Sequence, residues 1–403
     1  MVVVRNIEKS VNGDSAVLKA RVDCPSLGFN DFELWYRFPK ELYPQIALSG
    51  NPFVPALILP SMYAGENLHI EASVSKKLLA GARNIIQIYR HWYDLRPIEI
   101  NAAEEKVSEK SRQHNAMFFS GGVDSFYTLL KNHNSDLPDS EKISHLLFLH
   151  GFDIPLQKTE LFNTISNSIK KIALAYNMEL IEISTNIRKL SDNTCEWLLY
   201  HGTGLASVAL CMEGLFKKVY IAADHTYKCL LPRGSHPLTD PLWSTESLEF
   251  INDGSEADRI EKIKWQIAQD SVAMNNLRVC YENRDGKYNC SVCDKCVRTK
   301  LNLKAAGVLD KCTTLDHDID YKKIRNLEID NNRSRIIMEQ NLKVFLADGS
   351  DPQLIKALKY CLSPWSACER KKKYREIKKA IRKKIREFLH IKKPERRKIL
   401  SCR

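Results

Sequence analysis

The amino-acid sequence predicts an α/β protein built around a parallel sheet, with a mostly β module before it and a helical, basic region after it. Between about residue 115 and residue 225, short apolar runs alternate with helical patterns, which is typical of βαβ units. A glycine-rich turn follows the first of these runs, and four cysteines cluster near residue 290. With 403 residues, the chain is long enough for roughly two or three domains with sizeable cores.

Residues 1–110 form the first predicted domain, an α+β module of unknown role. Apolar and polar residues alternate over 16–22 and 32–38, which predicts strands, and residues 74–95 have helical spacing. Residues 98–111 are polar and predict a linker. Nothing in this module indicates chemistry, so we expect it to be a scaffold or to bind a partner.

The second predicted domain, residues 111–310, contains the βαβ pattern. The predicted strands are 116–119, 145–150, 179–184 and 218–223. One predicted helix begins at residue 126, and three others cover 160–176, 204–216 and 255–269. An irregular stretch covers 225–255. In a parallel sheet of this kind, ligands bind beyond the carboxyl ends of the strands.

Residues 311–403 form the third predicted domain, which is helical, and the positive charge of the chain lies at its end. The net charge is +12, and residues 369–403 hold 17 of the 61 Lys and Arg residues but 4 of the 49 Asp and Glu residues. The rest of the chain is nearly neutral, so the net charge alone does not indicate a nucleic-acid-binding protein. The tail itself has a basic amphipathic pattern that suits a nucleic acid, an anionic membrane surface or an acidic protein partner. A solvated terminal helix is the alternative.

Two further features concern location and assembly. No apolar run approaches about 18 residues, and the N-terminus lacks the pattern of a signal peptide. We therefore expect a cytoplasmic protein without a transmembrane segment. A homodimer is one state that the sequence leaves open.

The segment Ser120-Gly121-Gly122-Val123-Asp124-Ser125 lies between the first central strand and a helix. Adjacent glycines allow positive φ, so backbone amides can converge on an anion, and the helix N-terminus adds its free N–H groups. Asp124 is a predicted Mg²⁺ ligand beside phosphates. The Lys-Ser/Thr ending of a Walker loop is missing. A plain Gly-Gly turn capped by Asp124 is the alternative.

The cysteines at 280, 290, 293 and 296 predict a metal site. Four thiolates at this spacing complete a tetrahedral structural Zn²⁺ site, although an iron–sulfur cluster can use the same thiols. In a reducing compartment such a cluster favours metal over disulfides. The predicted metal ligands are Cys280, Cys290, Cys293 and Cys296.

The glycine-rich segment resembles the pyrophosphate loop (PP-loop) of the N-type ATP pyrophosphatases. With the cysteines, residues 115–308 resemble the 7-cyano-7-deazaguanine synthase family of queuosine biosynthesis. The resemblance implies an adenine nucleotide alpha hydrolase-like fold with ATP, Mg²⁺ and Zn²⁺. It also implies an AMP-forming carbon–nitrogen ligase that adenylates a small-molecule carboxylate such as 7-carboxy-7-deazaguanine and then couples ammonia or an amine. In that family, a second ATP dehydrates the amide to the nitrile.

The resemblance also implies roles for individual residues. The ATP-binding residues are Ser120, Gly121, Gly122, Val123, Asp124, Ser125, His150 and Gly151. The catalytic residues are Asp124, Lys262 and Arg298, the last two as neutralisers of phosphate charge. Polar residues in irregular segments beyond the strands are predicted to contact substrate, namely His201, Asp224, His225, His236 and Asp240.

The chain departs from the family pattern in several places. Tyr200-His201-Gly202-Thr203-Gly204 replaces a Pro-Gly-Arg-Asn stretch, and Ser291 replaces the glycine after the second cysteine. Because extended relatives are associated with antiphage systems, the acceptor could be a free base, a nucleic acid or a protein. Two alternatives stay open. One is a tRNA-thiolating enzyme with redox-active or cluster-bearing cysteines, and the other is a non-catalytic ATP-sensing subunit.

Overall fold

The computed structural model describes residues 1–104, 113–192, 194–327, 329, 332–364 and 366. The strands are β1 (Val2–Asn12), β2 (Ser15–Cys24), β3 (Phe29–Pro39), β4 (Leu68–Val74), β5 (Ile100–Glu104), β6 (His114–Phe118), β7 (His145–His150), β8 (Glu179–Thr185), β9 (Phe216–Ala222) and β10 (Glu249–Asp253). The helices are α1 (Phe53–Ala64), α2 (Lys76–Tyr93), α3 (Val123–His133), α4 (Thr159–Ala175), α5 (Arg188–Asp192), α6 (Trp197–Leu210), α7 (Arg259–Trp265), α8 (Ser271–Asn276), α9 (Asp294–Ala305), α10 (Tyr321–Arg325), α11 (Asn332–Asp348) and α12 (Pro352–Leu362). The predicted basic tail at 369–403 lies outside the described residues.

All ten strands belong to one sheet, in the order β10-β9-β6-β7-β8-β3-β2-β1-β4-β5. The pairs β1–β2, β2–β3 and β3–β8 are antiparallel, and the other neighbours are parallel. The predicted α/β class with a mostly parallel sheet is therefore confirmed.

Strand β6 lies at the centre of the parallel part and separates two cores. Its residues alternate, so Ala116 and Phe118 pack into one core while Met117 and Phe119 pack into the other. The chain moves from β6 to β7 on one side and later returns to β9 on the other. The turn after β6 therefore opens at the point where the strand order reverses, the usual ligand position in such sheets.

The sheet continues across the predicted domain boundary at residue 110 through the pairing of β3 with β8. The ladder is short, with Tyr36 opposite Thr185 and Arg37 opposite Ser184. Side chains extend it, because Thr185 Oγ1 donates to the Trp35 carbonyl over 2.7 Å. Asn186 accepts from the Trp35 amide over 2.9 Å and donates to a carbonyl of the same strand over 2.7 Å.

The N-terminal residues also cover one face of the central sheet. Helix α1 is buried along nearly its whole length and packs against α6. The Tyr200 hydroxyl donates to the Ala56 carbonyl over 2.6 Å, and the Ser207 hydroxyl donates to the Pro52 carbonyl over 2.7 Å. The first 104 residues thus build a layer that the parallel sheet needs on this face.

Most predicted central strands match the structure, but several element boundaries were wrong. The predicted helix 204–216 is α6, which begins at Trp197 and ends at Leu210. Its glycines are in the helix because of packing, since a Cβ on Gly202 would lie 1.9 Å from the Gly234 carbonyl oxygen. The predicted linker at 98–111 contains β5, the irregular stretch 225–255 contains β10, and the helix predicted at 255–269 contains the shorter α7.

Helices α9 to α12 form a third, smaller core. Leu301 of α9 packs there with Leu354 and Leu358 of α12. Residues beyond 310 therefore pack directly on the helix that follows the cysteine cluster. Among the described residues, no helix is both long and apolar enough to cross a membrane.

Replacing Asn186 with Ala is expected to lower the free energy of unfolding by about 2–4 kcal/mol, because it leaves two strand groups without partners at a buried position. Urea denaturation measures the change. The matched control is Asn67→Ala, which removes one exposed bond to the Glu99 amide and should cost less than about 1 kcal/mol. Equal losses in the two variants would contradict the assigned role of Asn186.

Candidate functional site

A cavity of about 970 Å³ opens at the carboxyl ends of the central parallel strands. Residues at or just after the ends of β6, β7, β8 and β9 line it, among them Phe119, Gly151, Asn186 and Asp224. Its volume lies at the upper end of the range for small-molecule and cofactor sites. The cavity therefore occupies the position at which the strand pattern predicted a ligand.

The glycine-rich turn forms one end of the cavity. Gly121 has φ +74°, a conformation that favours glycine, and Gly122 caps the N-terminus of α3. The Ser125 hydroxyl donates to the Gly122 carbonyl over 3.0 Å, which closes the turn. The Gly121 carbonyl accepts from the Arg278 amide over 2.7 Å, so the turn is also joined to the segment before the first clustered cysteine.

Asp124, in the first turn of α3, contacts a buried lysine and a half-buried arginine. Its Oδ2 lies 2.6 Å from the Arg259 guanidinium, and its Oδ1 lies 2.9 Å from Lys262 Nζ. Lys262 also donates to the Ala223 carbonyl over 2.6 Å. Burial opposes ionisation of Asp124, but the charges of Arg259 and Lys262 prevail and hold its pKa far below the ordinary value. Both carboxylate oxygens of Asp124 are thus engaged by cations, and its role as a Mg²⁺ ligand stays a prediction.

The cavity wall is rich in positive charge. Its cationic side chains are Lys158, Arg188, Lys189, Arg233, Arg259, Arg278, Lys295 and Arg298. Its carboxylates are fewer, namely Asp124, Asp153, Asp192, Asp224 and Glu282. An excess of cations around a concave site favours an anionic ligand.

The four clustered cysteines meet in one buried group, as the spacing predicted. Their Sγ atoms all lie within 4.8 Å of one another, with 3.9 Å between Cys280 and Cys293 and 4.0 Å between Cys290 and Cys296. Four sulfurs at about 2.3 Å from a tetrahedral ion would be about 3.8 Å apart. The group is therefore of the right size and chemistry to hold a metal ion.

Local backbone geometry builds the cysteine group. Backbone amides of Cys293 and Cys296 donate to Cys290 Sγ and Cys293 Sγ over 3.2 Å and 3.5 Å. Ser291 has φ +58°, a left-handed backbone conformation that favours glycine. The Asn289 side chain accepts from the amides of Val279 and Cys280, so it fixes the approach to the first ligand.

The metal group and the cavity share two chain segments. Cys293 caps α9, and the next turns of this helix carry Lys295 and Arg298 into the cavity wall. On the other side, Cys280 is followed by Tyr281, Glu282 and Asn283, which also line the cavity. The metal group therefore fixes part of the wall without facing the cavity itself.

The structure brings some predicted site residues to the cavity and not others. Those that line it are Ser120, Asp124, Ser125, Gly151, His201, Asp224 and Arg298. Gly121 and Gly122 form the turn beside it, and Val123 is buried as the first residue of α3. Lys262 and His225 lie behind Asp124 in a small recess. His150, His236 and Asp240 are not among the lining residues.

The side chains of His150, His236 and Asp240 contact other parts of the protein instead. His150 stacks on Phe162 with ring centroids 4.3 Å apart. His236 contacts Trp92, and Asp240 accepts hydrogen bonds from the Ser235 hydroxyl and the His236 amide. Burial raises the pKa of Asp240 to about 6. His236 and Asp240 therefore shape the loop beside the cavity, and Ser235 of the same loop lines the cavity wall.

His201 lies on the cavity wall, and its Nδ1 is 3.1 Å from the Leu198 carbonyl oxygen. Burial and then the charge of Arg233 lower the pKa of His201 to about 4. The imidazole is therefore neutral at pH 7 and can offer a hydrogen bond, but not a charge, to a ligand.

The sequence analysis did not assign several cavity cations to the site, namely Arg233, Arg259, Arg278 and Lys295. Arg259 had a usable signal, because it stands three residues before Lys262 and thus on the same helix face. Arg278 lies two residues before Cys280, and Lys295 lies between two cysteines. Arg233 had no local signal, because only its loop brings it to Asp224, 3.1 Å away.

Purified protein is expected to contain about one metal ion per chain, and Cys293→Ala should lose it, because three thiolates leave a tetrahedral structural site incomplete. Elemental analysis measures the stoichiometry and identifies the metal. Cys211→Ala is the matched control, since Cys211 is buried in another core. Full metal content in the Cys293 variant would contradict the assignment.

Asp124→Asn is expected to reduce the free energy of unfolding by about 3 kcal/mol at pH 7, because Lys262 is then buried without its anion. Because the pKa of Asp124 is lowered in the folded state, its ionised carboxylate stabilises that state at pH values above 3.8, the ordinary pKa. This contribution declines as the pH falls below 3.8. The difference in free energy of unfolding between wild type and variant should therefore decrease by about 1 kcal/mol from pH 5 to pH 3. Chemical denaturation at both pH values tests this, and a constant gap would contradict it.

Comparison with known proteins assigns no family to this chain. No protein-family model, no curated protein and no solved structure matches it. The function must therefore be argued from the site and from the motif residues that form it.

Proposed function

We propose that this protein is an ATP-dependent, AMP-forming enzyme of the PP-loop type, which adenylates a carboxylate and then couples ammonia or an amine. The observation that carries the proposal is the convergence of the Gly121-Gly122 turn, the α3 N-terminus and buried arginines at one end of a large cavity. Backbone amides, a helix N-terminus and arginines are the groups that proteins use to bind phosphate chains.

The end of the cavity that holds this turn suits the phosphates of ATP. Arg278 is 4% exposed and lies against the turn, and its guanidinium donates to Asn283 over 2.8 Å. Arg259 is held by Asp124 on the other side. Because these cations are oriented by protein partners before any ligand binds, they can stabilise the charge of departing pyrophosphate with little reorganisation.

Another part of the cavity wall suits a planar acceptor. Trp197 and Phe152 line it and meet edge to face, with ring centroids 4.9 Å apart. His201 and Arg233 lie on the same wall and add a neutral hydrogen-bonding group and a cation. An aromatic ring with a carboxylate, as in 7-carboxy-7-deazaguanine, combines the matching features.

The proposed chemistry has two steps. A carboxylate oxygen of the acceptor attacks the α-phosphorus of ATP, the bond to the β-phosphate oxygen breaks, and pyrophosphate leaves with the acceptor now bound to AMP. Ammonia then attacks the acyl carbon, AMP leaves with the bond electrons, and the nitrogen loses a proton to give the amide. The cavity contributes orientation and charge stabilisation in both steps.

Zinc is the metal proposed for the cysteine group. Four buried thiols with no further ligand complete a closed tetrahedral site, the form in which zinc is structural and not catalytic. The bound ion would hold the N-terminus of α9 and the Tyr281–Asn283 segment in the cavity wall. A brown protein that contains iron would instead favour the thiolation alternative.

The test is product analysis of ATP and Mg²⁺ incubated with 7-carboxy-7-deazaguanine and ammonium. We expect AMP, pyrophosphate and an amide or nitrile product. Gly121→Ala should lower the rate at least about tenfold, because the turn needs φ +74° to direct its amides. Asp124→Ala should abolish activity, since it releases Arg259 and Lys262 from their positions.

Gly307→Ala is the matched control, because Gly307 has φ +76° but no atom within 4 Å of an added Cβ. It bears the same backbone strain away from the cavity and should keep the wild-type rate. Intact ATP in the presence of measurable ATP binding would overturn the deazapurine assignment and favour the ATP-sensing alternative. Equal losses in both glycine variants would show that strain, and not the turn, limits activity.

A further inference from the structure

Lys295 differs from the other cations of the cavity. Each of the others has a partner in the protein, for example Asp124 for Arg259, Asp224 for Arg233 and Ser334 for Arg298. Across the described part of the chain, the Lys295 ammonium has no carboxylate oxygen within 4.0 Å and no hydrogen-bond acceptor. A half-buried ammonium without a partner is costly, so its position calls for an anion from outside the protein.

The surroundings of Lys295 place it at the phosphate end of the cavity. The charged groups that act on it are Asp153, Arg259, Arg278 and Asp124. Of these, Arg278 adjoins the Gly121 turn through its backbone, and Asp124 lies in the first turn of α3. The ammonium is therefore close enough to the charged groups around the turn to interact with them.

The fold also gives Lys295 little freedom to find another partner. It is the second residue of α9, between the metal ligands Cys293 and Cys296. The helix continues into the third core, where Val297 and Leu301 are buried. Both ends of the segment are thus fixed, and the side chain must extend from this point into the cavity that it lines.

We propose that Lys295 binds the β- and γ-phosphates of ATP and, after the first step, the pyrophosphate that they become. This inference rests on the proposed ATP-dependent function and adds a residue to it. An ammonium is a compact charge with three donors, which suits a phosphate chain whose negative charge is concentrated on several oxygens. The cysteine group then has a functional consequence, because it sets the place of a phosphate ligand.

The experiment measures binding of ATP, inorganic pyrophosphate and AMP to the full chain and to Lys295→Met by calorimetry, together with the kinetics of AMP formation. We expect the affinity for ATP and for pyrophosphate to fall at least about tenfold in the variant, while the affinity for AMP changes less than about twofold. Lys295→Arg keeps the positive charge and should restore most of the pyrophosphate affinity.

Lys304→Met is the matched control, because Lys304 is on the same helix but its Nζ lies 3.4 Å from Asp351 Oδ2, away from the cavity. It should bind all three ligands as wild type does. Metal content must stay at the wild-type level in each variant, which separates loss of the ammonium from damage to the cysteine group. Unchanged pyrophosphate affinity in Lys295→Met overturns the proposal, whatever its metal content.

The outcomes distinguish this inference from the proposed function. If wild-type protein binds neither ATP nor pyrophosphate, the proposed function fails and the role of Lys295 fails with it. If wild type binds both and Lys295→Met binds them equally well, the proposed function stands and the role of Lys295 is wrong. An equal loss for AMP would also overturn it, because the lysine would then act on the α-phosphate or on the overall fold.

Discussion

The constraint on which the site depends is the repulsion among cations that share one cavity. Arg259, Arg278 and Lys295 line the same cavity, where Arg259 and Arg278 repel Lys295 and the carboxylates of Asp124 and Asp153 offset part of this repulsion. The protein meets this constraint in two ways. Asp124 binds two cations directly through its two oxygens. The cysteine group holds the chain on either side of the cavity, so Lys295 stays near the others although it lacks an anion of its own.

The cysteine group and the glycine-rich turn are directly connected in this arrangement. The turn at Gly121 bonds to the backbone of Arg278, and Arg278 lies two residues before Cys280. A change in the metal group would therefore reach the turn through a short piece of chain. Buried cations that are oriented in advance also have a chemical advantage, since charge that develops on a leaving group meets donors that need not move.

The N-terminal residues have a comparable supporting role on the opposite face. A parallel sheet must be covered on both sides, and α1 with its many buried apolar residues covers the face near α6. The pairing of β3 with β8 joins the two parts of the sheet just before Asn186, a residue of the cavity wall. Residues 1–104 thus contribute to the position of the wall although none of them lines the cavity.

The sequence by itself determined the central strands, the glycine-rich turn and the cysteine group. These features depend on residues close together in the chain, such as the alternation along 145–150 or the short spacing of Cys290, Cys293 and Cys296. The identities of the metal, the nucleotide and the acceptor are still predictions. Local pattern also misplaced the bounds of α6, which begins at Trp197 and includes Gly202, a glycine that close packing against Gly234 requires.

Only the tertiary structure decided which polar residues share the cavity. His201 and Asp224 reach the wall, whereas His236 and Asp240 from an equally polar loop turn inward and bond to their own segment. Arg233 carries no distinguishing pattern in the sequence, and the long-range course of the chain brings it to the cavity. The physical reason is that a charge has no preferred place until burial, partners and neighbouring charges set its energy, and these come from residues far apart in the sequence.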